Sequence, residues 1–277
     1  MLETTVVISR DAAADPEKRA FEDALEQALA GAGLPVILMP HLYHVAEDDA
    51  LWHELARLDG RLLCLSWLYP RPTEWILRRH GIGDDVVTLD MSAYDRPEAC
   101  CAHIVESAWP ASGRATRELQ GEVARRWHPV IDYSRCVNCT QCMQFCLFGV
   151  YELDDANELI VRNPDNCKPG CPACSRICPG GAIIFPLCET DAAIAGAPGE
   201  FMTPDPSAKA MFYKRTKKPC PICGRSYGAA AAAPPENAPV CNECGMPLDK
   251  ADATGDDKDS APSDELDALI DDLERLR

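Results

Sequence analysis

The stretch RCVNCTQCMQFCLFG, residues 135–149, places four cysteines in eleven positions, and CKPGCPACSRICPGG, residues 167–181, brings four more. Eight thiols packed this closely, in two similar groups, can serve as disulfides, as zinc ligands or as ligands of an iron–sulfur core. Cys136, Cys139, Cys142 and Cys146 follow C-x2-C-x2-C-x3-C. A cubane offers one open valence per iron. A short loop can wrap three thiolates round it but cannot circle it, so a fourth thiolate must arrive from elsewhere in the chain. A second cysteine group of similar build can supply that ligand and receive one in return.

The rest of the chain bears on the choice. It has 277 residues, a formal charge of −17 and 26% charged residues, and 47% are hydrophobic. Such acidity disfavours nucleic-acid binding through a basic surface and suits docking on basic patches of a partner protein. The start, MLETTVVISRDAAADPEKRA, has an acid at Glu3 and no basic leader before an apolar run, so no secretory signal is expected. The longest apolar stretches fall far short of the roughly 20 residues of a membrane span. A cytoplasmic protein is the expectation, and there clustered cysteines more often mean metal than disulfide.

With that setting, RCVNCTQCMQFCLFGVYEL and NCKPGCPACSRICPGGAIIF resemble the bacterial-type dicluster ferredoxins over about residues 131–188. The resemblance implies two [4Fe–4S] clusters. Cluster I would take Cys136, Cys139, Cys142 and Cys178; cluster II would take Cys167, Cys171, Cys174 and Cys146. The turn at Gly181, Ala182 and Ile183 also matches. Leu147 stands where the family usually carries proline, and the second group opens C-x3-C, a residue longer than usual. Pro169 and Gly170 lie in the extra length and can absorb it in a turn, so two intact cubes are expected. Eight thiols holding two zincs, or clusters that serve structure alone, are the competing readings.

A second cysteine module spans 218–248. Cys220, Cys223, Cys241 and Cys244 follow C-x2-C-x17-C-x2-C, within the window of a zinc ribbon. Each CxxCG makes a tight turn aiming two thiolates at one ion, and two such turns close a four-thiolate site. Zinc is the first expectation and a rubredoxin-like mononuclear iron the alternative. Together the two modules use twelve of the sixteen cysteines. Residues 189–217 read as a linker. Residues 249–277 read as an acidic tail ending in a short amphipathic helix, with Leu266, Leu269, Ile270, Leu273 and Leu276 on one face, able to dock on a partner.

Residues 1–112 alternate strand and helix. TTVVIS (4–9), LPVILMP, RLLCLSWL (61–68) and DVVTLDM (85–91) are strand candidates, and helices are expected over 16–30, 48–58, 72–81 and 96–109. Four βα units imply a parallel sheet covered by helices, and residues 113–130 read as a connecting helix. The expected architecture is thus multidomain: an N-terminal parallel-sheet (βα)4 domain, then small α+β metal domains, a dicluster ferredoxin and a zinc ribbon. The N-terminal domain loosely resembles class II chelatases of the sirohydrochlorin type. Ser9 and Arg10 match the end of that family's first turn and His44 stands for its second histidine, but Val7 and Ile8 occupy the places of its metal-site histidine and glycine.

The function these residues support best is electron transfer: a carrier rather than an enzyme, passing electrons between its clusters and a partner oxidoreductase. A tetrapyrrole or metal-cofactor protein drawing electrons from the clusters, and a metal-stabilised adaptor, are the alternatives.

Overall fold

A computed structural model describes residues 4–13, 15–83, 85–107, 116–202, 210, 213–214, 219–220, 224–226, 241 and 246. The chain divides into two compact units, Met1–Phe212 and Tyr213–Arg277. The acidic tail and its helix at 249–277 lie outside the described residues, as do Cys223 and Cys244.

The first unit opens with β1 (Thr4–Ser9), α1 (Pro16–Gly31), β2 (Val36–Met39), α2 (Ala50–Ala56), β3 (Arg61–Ser66), α3 (Pro70–Arg79), β4 (Val86–Asp90) and α4 (Pro97–Glu106). The helix starts carry their own chemistry. Asp15 accepts from the amides of Glu17 and Lys18 and Pro16 opens α1; Asp49 accepts from the amide of Leu51 at the start of α2. With a fifth strand, β5 (Thr116–Glu118), the strands form a parallel sheet in the order β4-β3-β1-β2-β5, with Val6 opposite Val36 and Leu63 as register marks. Their apolar residues alternate between two cores, as the period of a strand dictates. Val6, Ile8, Leu38 and Leu63 meet Leu25 and Leu29 of α1 and Ile104 of α4. Val7, Ile37, Met39 and Cys64 turn the other way, onto Leu55 of α2 and Leu77 of α3.

The fifth strand corrects the expected connecting helix. β5 (Thr116–Glu118) pairs in parallel with β2, Thr116 opposite Val36 and Glu118 opposite Leu38. The chain then stays extended, with a bridge between Val123 and Val45 and an amide bond from Ala124 to the His44 carbonyl. The reason is the open edge of β2. Its amides and carbonyls need partners, and the returning chain supplies them more directly than a helix could. The sheet therefore has five parallel strands rather than four.

Residues 130–202 form the cysteine module. β6 (Val130–Ile131) pairs antiparallel with β9 (Ile183–Ile184), and β7 (Tyr151–Leu153) with β8 (Leu159–Val161). Two short helices, α5 (Gln141–Phe145) and α6 (Ala173–Ile177), carry Cys142 and Cys174. Val130 and Ile184 join the α2/α3 core of the sheet, so this core runs through both parts of the unit. The expected linker also begins as packed structure. In α7 (Ala192–Ala195), capped by Asp191, Ile194 is fully buried and accepts the Phe185 amide through its carbonyl.

Among the described residues, no helix is long and apolar enough to cross a membrane.

Candidate metal centre

The first cysteine group sits on a loop that needs left-handed backbone. Asn138 and Thr140 both have positive φ, at 51° and 57°, which asparagine tolerates better than most residues. The Asn138 side chain locks the loop in place: its amide donates to the Asn157 carbonyl at 2.8 Å, and its carbonyl accepts from the Leu159 amide at 3.0 Å. This ties the loop to the turn of the β7–β8 hairpin and to the first residue of β8. Cys142 then opens onto α5, and Cys146 follows that helix with its amide bonded to the Cys142 carbonyl at 2.9 Å.

In the second group the extra residue is taken up by a turn. The Cys171 amide donates to the Lys168 carbonyl at 3.1 Å across Pro169 and Gly170, and Gly170 has φ +74°. Proline followed by a positive-φ glycine is the pattern of a type II turn. Farther on, the Ala182 amide donates to the Cys178 sulfur at 3.2 Å. Gly180 and Gly181 hold that stretch close to its neighbours. A Cβ on Gly180 would lie 2.3 Å from the Arg135 carbonyl oxygen, and one on Gly181 would lie 2.7 Å from that of Met202.

The fold draws the two groups together. A small cavity is lined by Cys136, Cys139, Cys142 and Cys178, backed by Leu159 and Ile183. Three of these thiols come from the first group and the fourth from the end of the second. On the other side, Cys167 and Cys174 have Cys146 and Cys171 as electrostatic neighbours. Burial is the leading influence on the Cys136, Cys142, Cys167 and Cys174 thiols. It pushes Cys167 up to about 12 and raises Cys136, Cys142 and Cys174, and the neighbouring sulfurs push the same way. Thiolates crowded and half-dry repel one another, and a cationic core is what lets such groups ionise together. The donor set therefore fits iron–sulfur clusters, whose ligands are cysteine thiolates.

Several residues around the sulfurs escaped the sequence reading. The buried Tyr151 hydroxyl donates to Cys174 Sγ at 3.1 Å. The Trp127 indole donates to the Cys171 carbonyl at 3.3 Å and stacks on Phe185. From the sheet domain, Arg71 of α3 donates through Nε to Asp132 Oδ2 and through Nη2 to the Gly181 carbonyl, each at 2.7 Å. Only the aromatic character of Tyr151 and Trp127, close to the cysteine runs, gave any signal. Cys64 and Cys100 are buried in the sheet domain and pushed up to about 12 by burial, whereas Cys188 is buried in the core that also holds Cys142, Cys174 and Cys178.

In the N-terminal domain His44, the residue matched to the chelatase family's second histidine, has the His41 ring 4.7 Å from its own. The Arg126 amide donates to His44 Nδ1 at 3.1 Å. That bond occupies one lone pair and leaves the ring proton on Nε2, so neutral His44 has no nitrogen to offer a metal. Among the described residues, no three His, Cys, Asp or Glu side chains converge on a single metal-ion position.

In the second unit Cys220 and Cys241 are both buried, with sulfurs 3.9 Å apart. The Gly224 amide turns back to the Cys220 carbonyl at 2.8 Å, and the Cys241 amide donates to the Met246 carbonyl at 2.9 Å.

Residues 128–183 match the family model of the 4Fe-4S dicluster domain. Among curated proteins, an uncharacterized ferredoxin of Methanocaldococcus jannaschii is 46% identical over 61 residues, which cover 22% of this chain and 41% of that protein. Ferredoxin-3 of a Nostoc species is 33% identical over 66 residues, covering 18% of this chain and 67% of its own length. The pyruvate synthase subunit PorD of M. jannaschii is 37% identical over 59 residues, covering 21% and 66%. The chain thus spans about two fifths of the first of these relatives. No solved structure matches it. Two [4Fe–4S] clusters fit the domain and its cysteines, and the domain is of the iron–sulfur electron-transfer type. Through residues 128–183, this chain belongs to the 4Fe-4S dicluster ferredoxin family.

Proposed function

We propose that the protein is a two-cluster electron carrier that passes electrons to a partner oxidoreductase. Cluster I is held by Cys136, Cys139, Cys142 and Cys178, and cluster II by Cys146, Cys167, Cys171 and Cys174. The observation that carries this reading is the cavity lined by three thiols of the first group and one of the second. Bound clusters supply the one-electron chemistry; the chain's own residues shape their surroundings. Tyr151 and the Ala182 amide donate to cluster-side sulfurs, and such bonds tune potential.

Docking of the partner beside the clusters is supported by exposed apolar residues there. Val137, next to Cys136, and Leu147, next to Cys146, are 69% and 74% exposed, the highest among the described large apolar residues. In the second unit, Cys220, Cys223, Cys241 and Cys244 hold one zinc or one iron. The 3.9 Å between Cys220 and Cys241 sulfurs is close to the roughly 3.8 Å edge of a tetrahedron with thiolates about 2.3 Å from the ion.

Anaerobic purification with iron, sulfide and zinc counts per chain tests the assignment. About eight iron and eight sulfide are expected in the two clusters, with either one zinc or a ninth iron in the ribbon. Cys178→Ser should remove the EPR signal of cluster I and leave that of cluster II, and Cys146→Ser the reverse. Equal loss of both signals in both variants, or zinc in place of iron and sulfide, overturns it.

A further inference from the structure

A second cavity, of about 310 Å³, lies between the α2/α3 face of the sheet and the dicluster domain, a size at which small-molecule sites begin. One wall comes from the sheet domain, with Trp52 of α2, Trp75 of α3 and His80 just after it; the other comes from Tyr133, Ile160 and Val161. The walls are flat and fixed. Trp52 and His80 lie ring on ring, 3.8 Å between centroids and within 1° of parallel, and the Trp52 indole is pinned by a 2.8 Å bond to the Ala46 carbonyl. Trp75 meets Tyr133 edge to face at 5.7 Å.

Glu47 and Arg79 carry the charges in the lining of this cavity, and they compensate each other. Arg79 Nη2 stands 3.0 Å from Glu47 and also donates to the Val161 carbonyl at 2.7 Å. Burial lowers His80 to about 4, so its imidazole is neutral near pH 7. A charged ligand would leave an unpaired charge in a half-dry space, at a cost of several kcal/mol. A flat, uncharged ligand would lose little on entry, and Arg79 and His80 in the lining carry N–H groups of the kind that bind carbonyl oxygens.

The position adds a second observation. β8 lines both cavities: Leu159 faces the cysteine pocket, while Ile160 and Val161 border this one. β6 and β9 do the same, with Ile131 here and its register partner Ile183 at the cysteines. One layer of chain separates the two spaces.

We propose that this interdomain cavity binds a neutral, planar conjugated molecule of one or two rings carrying carbonyl groups, of the quinone type. Duroquinone is a suitable probe: its ring positions are all substituted, so cysteine thiols cannot add to it. The full-length protein with oxidised clusters is titrated anaerobically, with binding read by equilibrium dialysis and by the indole N–H resonances. Saturable binding of a single equivalent is expected, with shifts at Trp52 and Trp75. Ile76→Trp and Val161→Phe fill the cavity from opposite walls. Either one, if it retains the cluster absorbance of the unaltered protein, should weaken binding at least about tenfold. Binding that does not saturate, shifts that spare both indoles, or undiminished affinity in a folded filled variant would each overturn the proposal. Equal affinity for cyclohexane-1,4-dione, which keeps the carbonyls without the planar conjugated ring, would overturn its chemical assignment.

Discussion

Arg71 offers a direct test of how the sheet domain holds the dicluster domain. Its guanidinium reaches from the start of α3 to Asp132 and to the Gly181 carbonyl, with the two side chains only 14% and 4% exposed. Replacing it by methionine keeps much of the volume and strands the carboxylate. Removing one partner of a buried pair costs about 3–5 kcal/mol. Asp132 keeps the Ser134 amide on its other oxygen, at 3.0 Å, so the low end, about 3 kcal/mol, is expected for Arg71→Met. At a urea slope of about 2 kcal/mol per molar, the unfolding midpoint should fall by about 1.5 M. The double variant Arg71→Met with Asp132→Asn removes the stranded charge yet keeps an acceptor for Ser134. It should recover about half the loss, since what remains is hydrogen bonds rather than an uncompensated ion. The assay is anaerobic urea unfolding followed by tryptophan fluorescence. A single-variant shift below about 0.5 M, or a double variant no more stable than the single, would refute the reasoning.

Three further outcomes are expected. His128 is buried and lowered to about 3 by desolvation, so below pH 6.5 the unfolded chain takes a proton that the folded chain refuses. Its contribution is therefore intact above about pH 6.5 and drains away as pH falls toward 3, at up to about 1.4 kcal/mol per pH unit. Unfolding free energies at pH 7, 6 and 5 should show a slope shallower by nearly one proton in His128→Gln, and an unchanged slope contradicts this. Gly180→Ala drives a Cβ into the Arg135 carbonyl and should cost about 1–3 kcal/mol and lower the iron count per chain; full iron at unchanged stability would show that the loop yields freely. Tyr151→Phe removes the 3.1 Å bond to Cys174 and should make the potential of cluster II more negative in a redox titration, because a donor to sulfur favours the reduced, more negative state. A potential that rises or stays fixed counts against it.

The parallel sheet was legible because Val6, Val7 and Ile8, like Val36–Met39, form short apolar runs buried on both faces, which soluble chains build chiefly as central parallel strands. β5 was not. Thr116, Arg117 and Glu118 are all exposed and carry no apolar period; what makes them a strand is the free edge of β2, a fact about the folded neighbour. The alanine- and glycine-rich stretch at 192–196 reads as linker by composition, yet Ile194 and Ala195 anchor it in the core. The cysteine groups were legible because the size of a cube sets their spacing. Arg71 and Asp132 were not, since nothing local distinguishes them from any surface arginine or aspartate. The C-terminal cysteine module is visible only as a spacing; of its four thiols Cys220 and Cys241 fall within the described residues.

The cavity closed by Cys178 has a bearing on how the protein is made. On a chain leaving the ribosome, Cys136, Cys139 and Cys142 emerge first, followed by the whole β7–β8 hairpin and the second cysteine loop, and Cys178 comes last. Until then the first pocket lacks its final wall, while the sheet face that receives Val130 must also wait for Ile184 to cover it. Completion of the first cysteine pocket thereby waits until both cysteine groups have emerged. A chain truncated before Cys178 should emerge without a completed first centre, and iron offered early should find a site that is still open.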